Sequence, residues 1–235
     1  MTVCAIHQPN YFPWMGYFDK ICRADVFIFL DAVDYPRSGS KSMASWCNRV
    51  KIDVGDREAW FRCPVQKAPL GTKINEVFLS EDTNWRVAAI ETLKSSYGRQ
   101  PGFTRAMSLL EPLINMNALD ISDFNINTIM EISKTLELET RFFRQSELET
   151  SAASTELLIE LCSAVGCDTY LCGGGAEGYQ EDAKFAENNI KLVYQNFKPF
   201  PYGNEELETF MPGLSIIDFL MKENDWDIGK PAGGQ

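Results

Sequence analysis

The chain has 235 residues, of which 45% are hydrophobic, so it can form one large domain or two small ones around a substantial core. Its formal net charge of -11 argues against a nucleic-acid-binding protein, which needs a basic face to neutralise phosphates. No segment approaches the ~20 apolar residues of a membrane-spanning helix. The amino terminus has no basic region followed by an apolar run, so we expect a cytoplasmic protein.

The cysteine and histidine content bears on metal and disulfide chemistry. Seven cysteines, an odd number without a CxxC pair, are typical of reduced thiols rather than of a disulfide framework. A single histidine and the lack of paired ligand motifs predict that the protein has no metal site. No cofactor is predicted either.

The first thirty residues predict a βαβ unit. The segments VCAIH (residues 3–7) and VFIFL (residues 26–30) are short, apolar and typical of buried strands, and residues 16–24 between them indicate a helix. Two strands joined through a helix run parallel, so the unit predicts a parallel sheet.

In the rest of the chain, the alternation of strands and helices is first interrupted and then resumes. Further strands are predicted at residues 60–65 and 74–79, followed by helices at 85–97, 103–116 and 123–138. The last helix carries Phe124, Ile129, Ile132 and Leu136 as its core stripe. Beyond it we predict a helix, a strand, a helix and a strand at residues 151–166, 167–172, 180–188 and 190–197.

These patterns predict an α/β fold with a Rossmann-like, mostly parallel sheet and a helical insert. We expect residues 1–81 and 151–225 to form the two parts of the α/β domain, residues 82–150 to form the insert, and residues 226–235 to form a loose tail.

The loop after the first strand is the first candidate for a functional site. Ligands of open parallel sheets bind at the carboxyl ends of strands, where His7 is predicted to lie, and histidine can act as base and acid in one cycle. Pro9 and Pro13 stiffen this loop, and its other candidate residues supply hydrogen bonds and flat apolar faces: Gln8, Asn10, Tyr11, Trp14 and Tyr17. The alternative is a loop that merely packs against the helix.

A second candidate is the glycine-rich segment CGGGAEGY at the end of a later predicted strand. The backbone N–H groups of Gly173, Gly174 and Gly175 can approach a phosphate, a carboxylate or a developing oxyanion, and Tyr179 is a further substrate-binding candidate. Cys172 is a candidate nucleophile, although a buried inert thiol is the alternative. A flexible turn would give the same sequence pattern.

A basic segment in an acidic chain is the third candidate. Arg49 and Asn48 lie in the segment SWCNRVKI, and we expect them to bind an anionic part of a substrate. The alternative is a solvated face held by ion pairs. Asp31, at the end of the second predicted strand, is expected to steady a basic group or His7.

Five segments together resemble the WbqC-like family over nearly the whole chain: IHQPNYFPWMGYFDKI, ADVFIFLDAV, NRVKI, STELLIELCSAVGCDTYL and PGLSIIDFL. The resemblance implies a role in building or decorating a surface polysaccharide or a related natural product. This chain has Cys172 where a serine is more usual, which argues against a family-wide cysteine nucleophile at that position. A more distant likeness to nucleotidylyltransferases extends only to the first βαβ unit, because Trp14 and Tyr17 stand where their two histidines would fall.

We therefore expect a group-transfer enzyme that moves an acyl or aminoacyl group from a small-molecule or carrier-bound donor to an amine of a sugar, a nucleotide-linked sugar or a similar acceptor. In this interpretation the catalytic candidates are His7, Tyr17, Asp31 and Cys172, with His7 as the base. Two alternatives stay open: a nucleotide-dependent ligase or nucleotidylyltransferase, and a non-catalytic module that binds a partner or docks a carrier.

Overall fold

A computed structural model describes residues 1–39, 41–173, 181–203 and 206–228. The described residues form seven strands, which are, in chain order, β1 Val3–His7, β2 Val26–Phe29, β3 Arg49–Asp53, β4 Glu58–Arg62, β5 Arg141–Arg144, β6 Thr169–Cys172 and β7 Lys191–Tyr194. Five of them form a sheet in the order β5-β2-β1-β6-β7, and every neighbouring pair is parallel. The predicted Rossmann-like α/β fold is confirmed.

The order of the strands creates a switch point in the sheet. From β1 the chain builds outward through β2 to β5, and it then crosses back to add β6 and β7 on the other side of β1. Helices that leave β1 and β6 therefore lead in opposite directions and open a crevice between the carboxyl ends of these two strands. His7, the last residue of β1, lies at this crevice.

The described α-helices are α1 Met15–Cys22, α2 Asn84–Tyr97, α3 Phe103–Ile114, α4 Ile121–Thr135, α5 Ser154–Ala164, α6 Asp182–Glu187 and α7 Ile216–Lys222. The four apolar positions predicted as a core stripe in α4 are all buried. The helix begins after Asp120, whose carboxylate accepts a hydrogen bond from the backbone N–H of Asp123 at 2.9 Å, a standard N-cap. No helix of the described part of the chain has the length and apolar character needed to cross a bilayer.

The sheet separates two hydrophobic cores. In β2, Phe27 points to one face and Ile28 to the other, as the alternation of a strand requires. The larger core contains Phe27 and apolar residues of α1 to α4 and α7, whereas the smaller one contains Ile28 and apolar residues of α5 and α6. The three inner strands β1, β2 and β6 are covered on both sides, which explains their mostly apolar sequences.

Two parts of the sequence fold differently from the prediction. Within the strand predicted at residues 74–79, Ile74–Glu76 form a short 3-10 helix whose Ile74 and Asn75 donate their backbone N–H groups to the loop after β2, and Phe78 and Leu79 form only isolated bridges. The strand β5 was not predicted. It lies within the range assigned to the helical insert, yet it pairs with β2 at the edge of the main sheet.

A buried polar network joins α2, β3 and α7. Tyr97 and Tyr202 each donate a hydrogen bond of 2.8 Å to the carboxylate of Asp218, which is 1% exposed. Lys222 bridges this carboxylate and Asp53 at N–O distances of 3.2 and 3.0 Å. These contacts hold α7 against the β3–β4 hairpin and α2. Removing one partner would destabilise the fold, because it leaves a buried charge uncompensated.

Replacing Gly102 with alanine is expected to destabilise the fold by about 1–3 kcal/mol, because it overpacks the contact between α3 and α7. A Cβ atom at Gly102 would lie 2.3 Å from the carbonyl oxygen of Glu223 and 2.4 Å from that of Leu220. The matched control is Gly173→Ala, whose Cβ would meet no described atom within 4 Å. Urea unfolding of the two variants checks this, and equal midpoints for Gly102→Ala and wild type would contradict it.

Candidate functional site

His7 is held at the carboxyl end of β1 by its backbone and by the loop that follows. Leu30 donates its backbone N–H to the carbonyl of His7 at 2.9 Å, which ties the ends of β1 and β2 together. The loop is fixed by the buried Asn125 of α4, whose amide donates to the carbonyls of Pro9 at 2.9 Å and Cys47 at 2.7 Å. The register of β1 and β6 ends at the pair Ala5 and Leu171, so its continuation brings Gly173 beside His7.

The hydrogen bond of the His7 ring fixes its tautomer. Nδ1 lies 3.0 Å from the carbonyl oxygen of Gln8. A carbonyl oxygen only accepts hydrogen bonds, so Nδ1 carries the proton and the neutral ring has its lone pair on Nε2. No described residue forms a hydrogen bond to Nε2. His7 therefore offers an unprotonated nitrogen to a ligand.

Tyr17 completes the immediate surroundings of His7. Its hydroxyl donates to the same Gln8 carbonyl at 3.0 Å, and its ring meets the imidazole edge to face at a centroid distance of 4.8 Å. Burial raises the pKa of Tyr17 well above its usual value, so its hydroxyl stays protonated and acts as a donor. Tyr17 thus orients His7 by way of Gln8.

Two effects keep His7 uncharged. Burial is the larger and the positive charge of Lys20 the second, and together they lower the pKa of His7 from 6.5 to about 4. The contact with the Gln8 carbonyl acts in the opposite direction. At neutral pH the imidazole is therefore a proton acceptor.

Sequence reasoning missed Lys20, which is the buried cation of this site. The residue is 3% exposed, and its ammonium group donates to the carbonyl of Ile6 at 2.9 Å. Burial lowers its pKa from 10.5 to about 8, while the Cys172 and Cys4 thiols act in the opposite direction. The signal in the sequence was that α1 is a short helix with apolar residues around most of its circumference, which leaves its lysine little access to water.

Two cavities meet at His7. The first has a volume of about 380 Å³ and is lined by His7, Asn10, Trp14, Trp46 and other residues of the loop and the β3–β4 hairpin. Asn10 supplies the polar part of this wall, while Tyr11, 0% exposed and packed between Phe61 and Phe124, supplies an apolar part. The first cavity is thus mainly apolar, with the rings of Trp14 and Trp46 in its wall.

The second cavity is a cleft of about 420 Å³ between the ends of β1 and β2 and the start of α5. His7 and Gln8 form one side of it, and Leu30, Leu157 and Leu158 give it an aliphatic lining. His7 belongs to the walls of both cavities, so the two cavities adjoin at this residue.

Trp14 owes its place in the first cavity to Gly16. A Cβ atom at Gly16 would lie 2.5 Å from two ring carbons of Trp14. The indole also packs edge to face against Phe197 at a centroid distance of 5.4 Å. A larger residue at position 16 would displace the indole from the cavity wall.

Other candidate residues have different surroundings in the structure. Asp31 is fully buried, and its carboxylate accepts hydrogen bonds from the N–H and hydroxyl of Ser146 at 2.9 and 2.5 Å, rather than from His7. Cys172 is buried at the end of β6, and its thiol donates to the carbonyl of Val193 at 3.5 Å. These contacts tie the sheet together.

Asn48 and Arg49 lie at the start of the β3–β4 hairpin. The Asn48 side chain accepts a hydrogen bond of 2.9 Å from the backbone of Ser45 and shapes the turn before β3. Arg49 is half-buried and lies over the ring of Trp60. Gly174, Gly175 and Tyr179 lie outside the described residues.

Metal ligands are not grouped anywhere in the ranges that the structure describes: no cluster of three His, Cys, Asp or Glu side chains is suited to a metal ion there. The groups that this site offers to a ligand are the imidazole, the aromatic rings and the backbone N–H groups, with a buried ammonium nearby.

The whole chain is similar to known sequences. It is 28% identical over 222 residues to the uncharacterized protein Rv1507c of Mycobacterium tuberculosis (strain ATCC 25618 / H37Rv), a match that covers 94% of this chain and 93% of that protein. No solved structure matches the chain significantly. The model of the WbqC-like protein family matches residues 8–228, from the loop that contains Gln8 and Trp14 to the end of the described structure. The chain therefore belongs to the WbqC-like protein family.

Proposed function

We propose that this protein is a group-transfer enzyme that moves an acyl or aminoacyl group to the amine of a sugar or a similar acceptor, in the biosynthesis of an O-antigen-type polysaccharide or a natural product. The observation that carries the proposal is the state of His7, which is neutral at pH 7, has its lone pair on Nε2 and belongs to two cavities of different lining. Transfer between two substrates needs a proton acceptor where they meet.

The proposed reaction is a substitution at the acyl carbon. The amine nitrogen forms a bond to the carbonyl carbon, the π electrons move to the oxygen, and Nε2 of His7 takes a proton from the attacking nitrogen. The intermediate then collapses, the bond to the leaving group breaks, and the imidazolium returns the proton to the leaving group. With a pKa near 4, His7 is a weak base that takes this proton only once the nitrogen has begun to form its new bond and the proton has become acidic, and the resulting imidazolium is a strong acid toward the leaving group.

The two cavities support a division between the substrates. Aromatic rings such as Trp14 and Trp46 offer flat faces for the ring of an acceptor in the first cavity. The leucines of the second cleft offer an aliphatic surface for the acyl group. In this proposal the backbone N–H of Gly173, which follows β6 beside His7, donates a hydrogen bond to the developing oxyanion and stabilises it.

His7→Gln is expected to lower kcat by about 10²–10⁴-fold, the usual contribution of a general base. The test incubates the purified protein with amino sugars, free and nucleotide-linked, and with acyl and aminoacyl thioesters, in parallel reactions with and without ATP or CTP, and follows the mass of the acceptor and of the added nucleotide. Lys94→Met, an exposed change in α2, is the control and should keep full turnover. Full turnover by a folded His7→Gln variant would exclude the proposed role, and consumption of ATP or CTP during product formation would indicate a ligase or nucleotidylyltransferase instead.

A further inference from the structure

We infer that the outer face of the β3–β4 hairpin binds the nucleotide part of a substrate, with the phosphates on Arg49 and Arg62 and the base on Trp46. This inference rests on the proposed function in one respect only, namely the identity of the group that the nucleotide carries. It starts from two tryptophans and two arginines that the hairpin brings to one surface, which we call the Trp-Arg platform: Trp46, Arg49, Trp60 and Arg62.

The hairpin register pairs two like charges. Arg49 and Arg62 are direct cross-strand neighbours in β3 and β4. Like charges in this position repel each other, and neither guanidinium forms an ion pair with a carboxylate of the described residues. The chain has 33 acidic and 22 basic residues, yet these two neighbouring arginines have no carboxylate partner among the described residues. A bound anion would relieve the repulsion, and the fork of a guanidinium matches a phosphate.

The aromatic part of the platform is accessible. Trp46 and Trp60 are 52% and 38% exposed, although both are large apolar side chains. Their ring centroids lie 5.6 Å apart, and the guanidinium carbon of Arg49 lies 4.1 Å from the Trp60 centroid. One face of the platform therefore combines exposed indoles with a guanidinium held in place by a cation–π contact. This combination suits a ligand that joins a flat base to phosphate.

The platform is continuous with the candidate active site. Trp46 belongs to the wall of the first cavity together with His7. Its backbone carbonyl accepts a hydrogen bond of 2.9 Å from the N–H of Tyr11, so it is fixed to the loop of His7. A nucleotide on the platform can thus extend its attached group past Trp46 toward the imidazole.

Two sources of such a nucleotide fit this chemistry, namely a nucleoside diphosphate attached to the acceptor and the adenosine phosphates of a coenzyme A thioester donor. Calorimetry with UDP, coenzyme A, uridine and inorganic pyrophosphate distinguishes them. We expect one nucleotide to bind, and Arg49→Ala and Arg62→Ala to raise its Kd at least tenfold, since charge-assisted bonds are lost. Trp46→Ala should raise it about 5- to 100-fold through lost base stacking.

Arg57→Ala is the matched control, because Arg57 is an exposed arginine of the same hairpin outside the platform, and its Kd should equal that of wild type. Failure of both nucleotides to bind at millimolar concentration, or binding that the Arg49 and Arg62 changes leave intact, would overturn the inference. The result is separable from the proposed reaction. Binding is measured without turnover and should survive His7→Gln, so nucleotide binding without acyl transfer would refute only the proposed function.

Discussion

Between pH 7 and pH 4.5, the free energy of unfolding of wild type is expected to fall by about 2.5 kcal/mol relative to that of His7→Gln. The folded protein lowers the pKa of His7 to about 4 from 6.5, so between these two pH values the unfolded state binds more protons than the folded state. Stability from this group is present above pH 6.5 and is lost as pH falls toward 4. A shift of this size corresponds to about 3 kcal/mol in full, at 1.36 kcal/mol per pH unit.

Urea unfolding of the two proteins at pH 7.0, 5.5 and 4.5 measures this difference. Carboxylates contribute to acid unfolding in both proteins, and their contribution cancels in the difference because both proteins contain the same carboxylates. Glutamine at position 7 does not titrate, so the remaining pH dependence comes from His7. A difference that stays constant over the three pH values would mean that His7 has an ordinary pKa.

Lys20→Met is expected to raise the free energy of unfolding at pH 7 by about 1–2 kcal/mol. The ammonium group of Lys20 is buried and still charged at pH 7, because its pKa is lowered only to about 8. The lowered pKa corresponds to a cost of about 3 kcal/mol below pH 8, from which we subtract about 1 kcal/mol for the lost hydrogen bond to the Ile6 carbonyl. Replacing a buried charge with an apolar side chain of similar size often stabilises a protein.

The pH dependence of this second effect has a definite sign. The cost of Lys20 is fully present below pH 8 and disappears as pH rises toward 10.5, so the advantage of Lys20→Met should shrink over that range. The same variant should raise the pKa of His7, because one of the two effects that lower it is removed. Lys94→Met, which changes an exposed lysine of α2, is the control and should alter stability by less than about 0.5 kcal/mol. A Lys20→Met variant less stable than wild type would show that the ammonium group stabilises the fold.

The first βαβ unit could be predicted from the sequence because local patterns determine it. The strand β1 has the predicted bounds, and the helix and strand that follow differ from the prediction by one or two residues. Its apolar runs are short, the segment between them favours a helix, and no distant pairing is needed to recognise either. The position of His7 at a strand end followed from the same local pattern.

The strand β5 could not be predicted for the opposite reason. Its sequence RFFR is four residues long, has an arginine at each end and is only partly buried. Such a segment becomes a strand because the edge of β2 is available to it, which is a long-range property. The partner of Asp31 was missed as a consequence, since Ser146 follows β5.

The contents of the candidate site were predictable only in part. The loop of His7 was identified from its residue types, whereas Lys20 depended on knowing which face of α1 would be covered. The Trp-Arg platform depends on the pairing of Arg49 with Arg62, and residue types do not determine a hairpin register until both strands are known.

The proposed function depends on His7 being a neutral base with its proton on Nδ1 and its lone pair on Nε2. Because the chain has one histidine, ¹⁵N NMR of histidine-labelled protein observes this ring alone. We expect the shifts at pH 7 to show a protonated Nδ1 and an unprotonated Nε2, and the ring to titrate near pH 4. A proton on Nε2 at pH 7, or a titration near pH 6.5, would contradict the account.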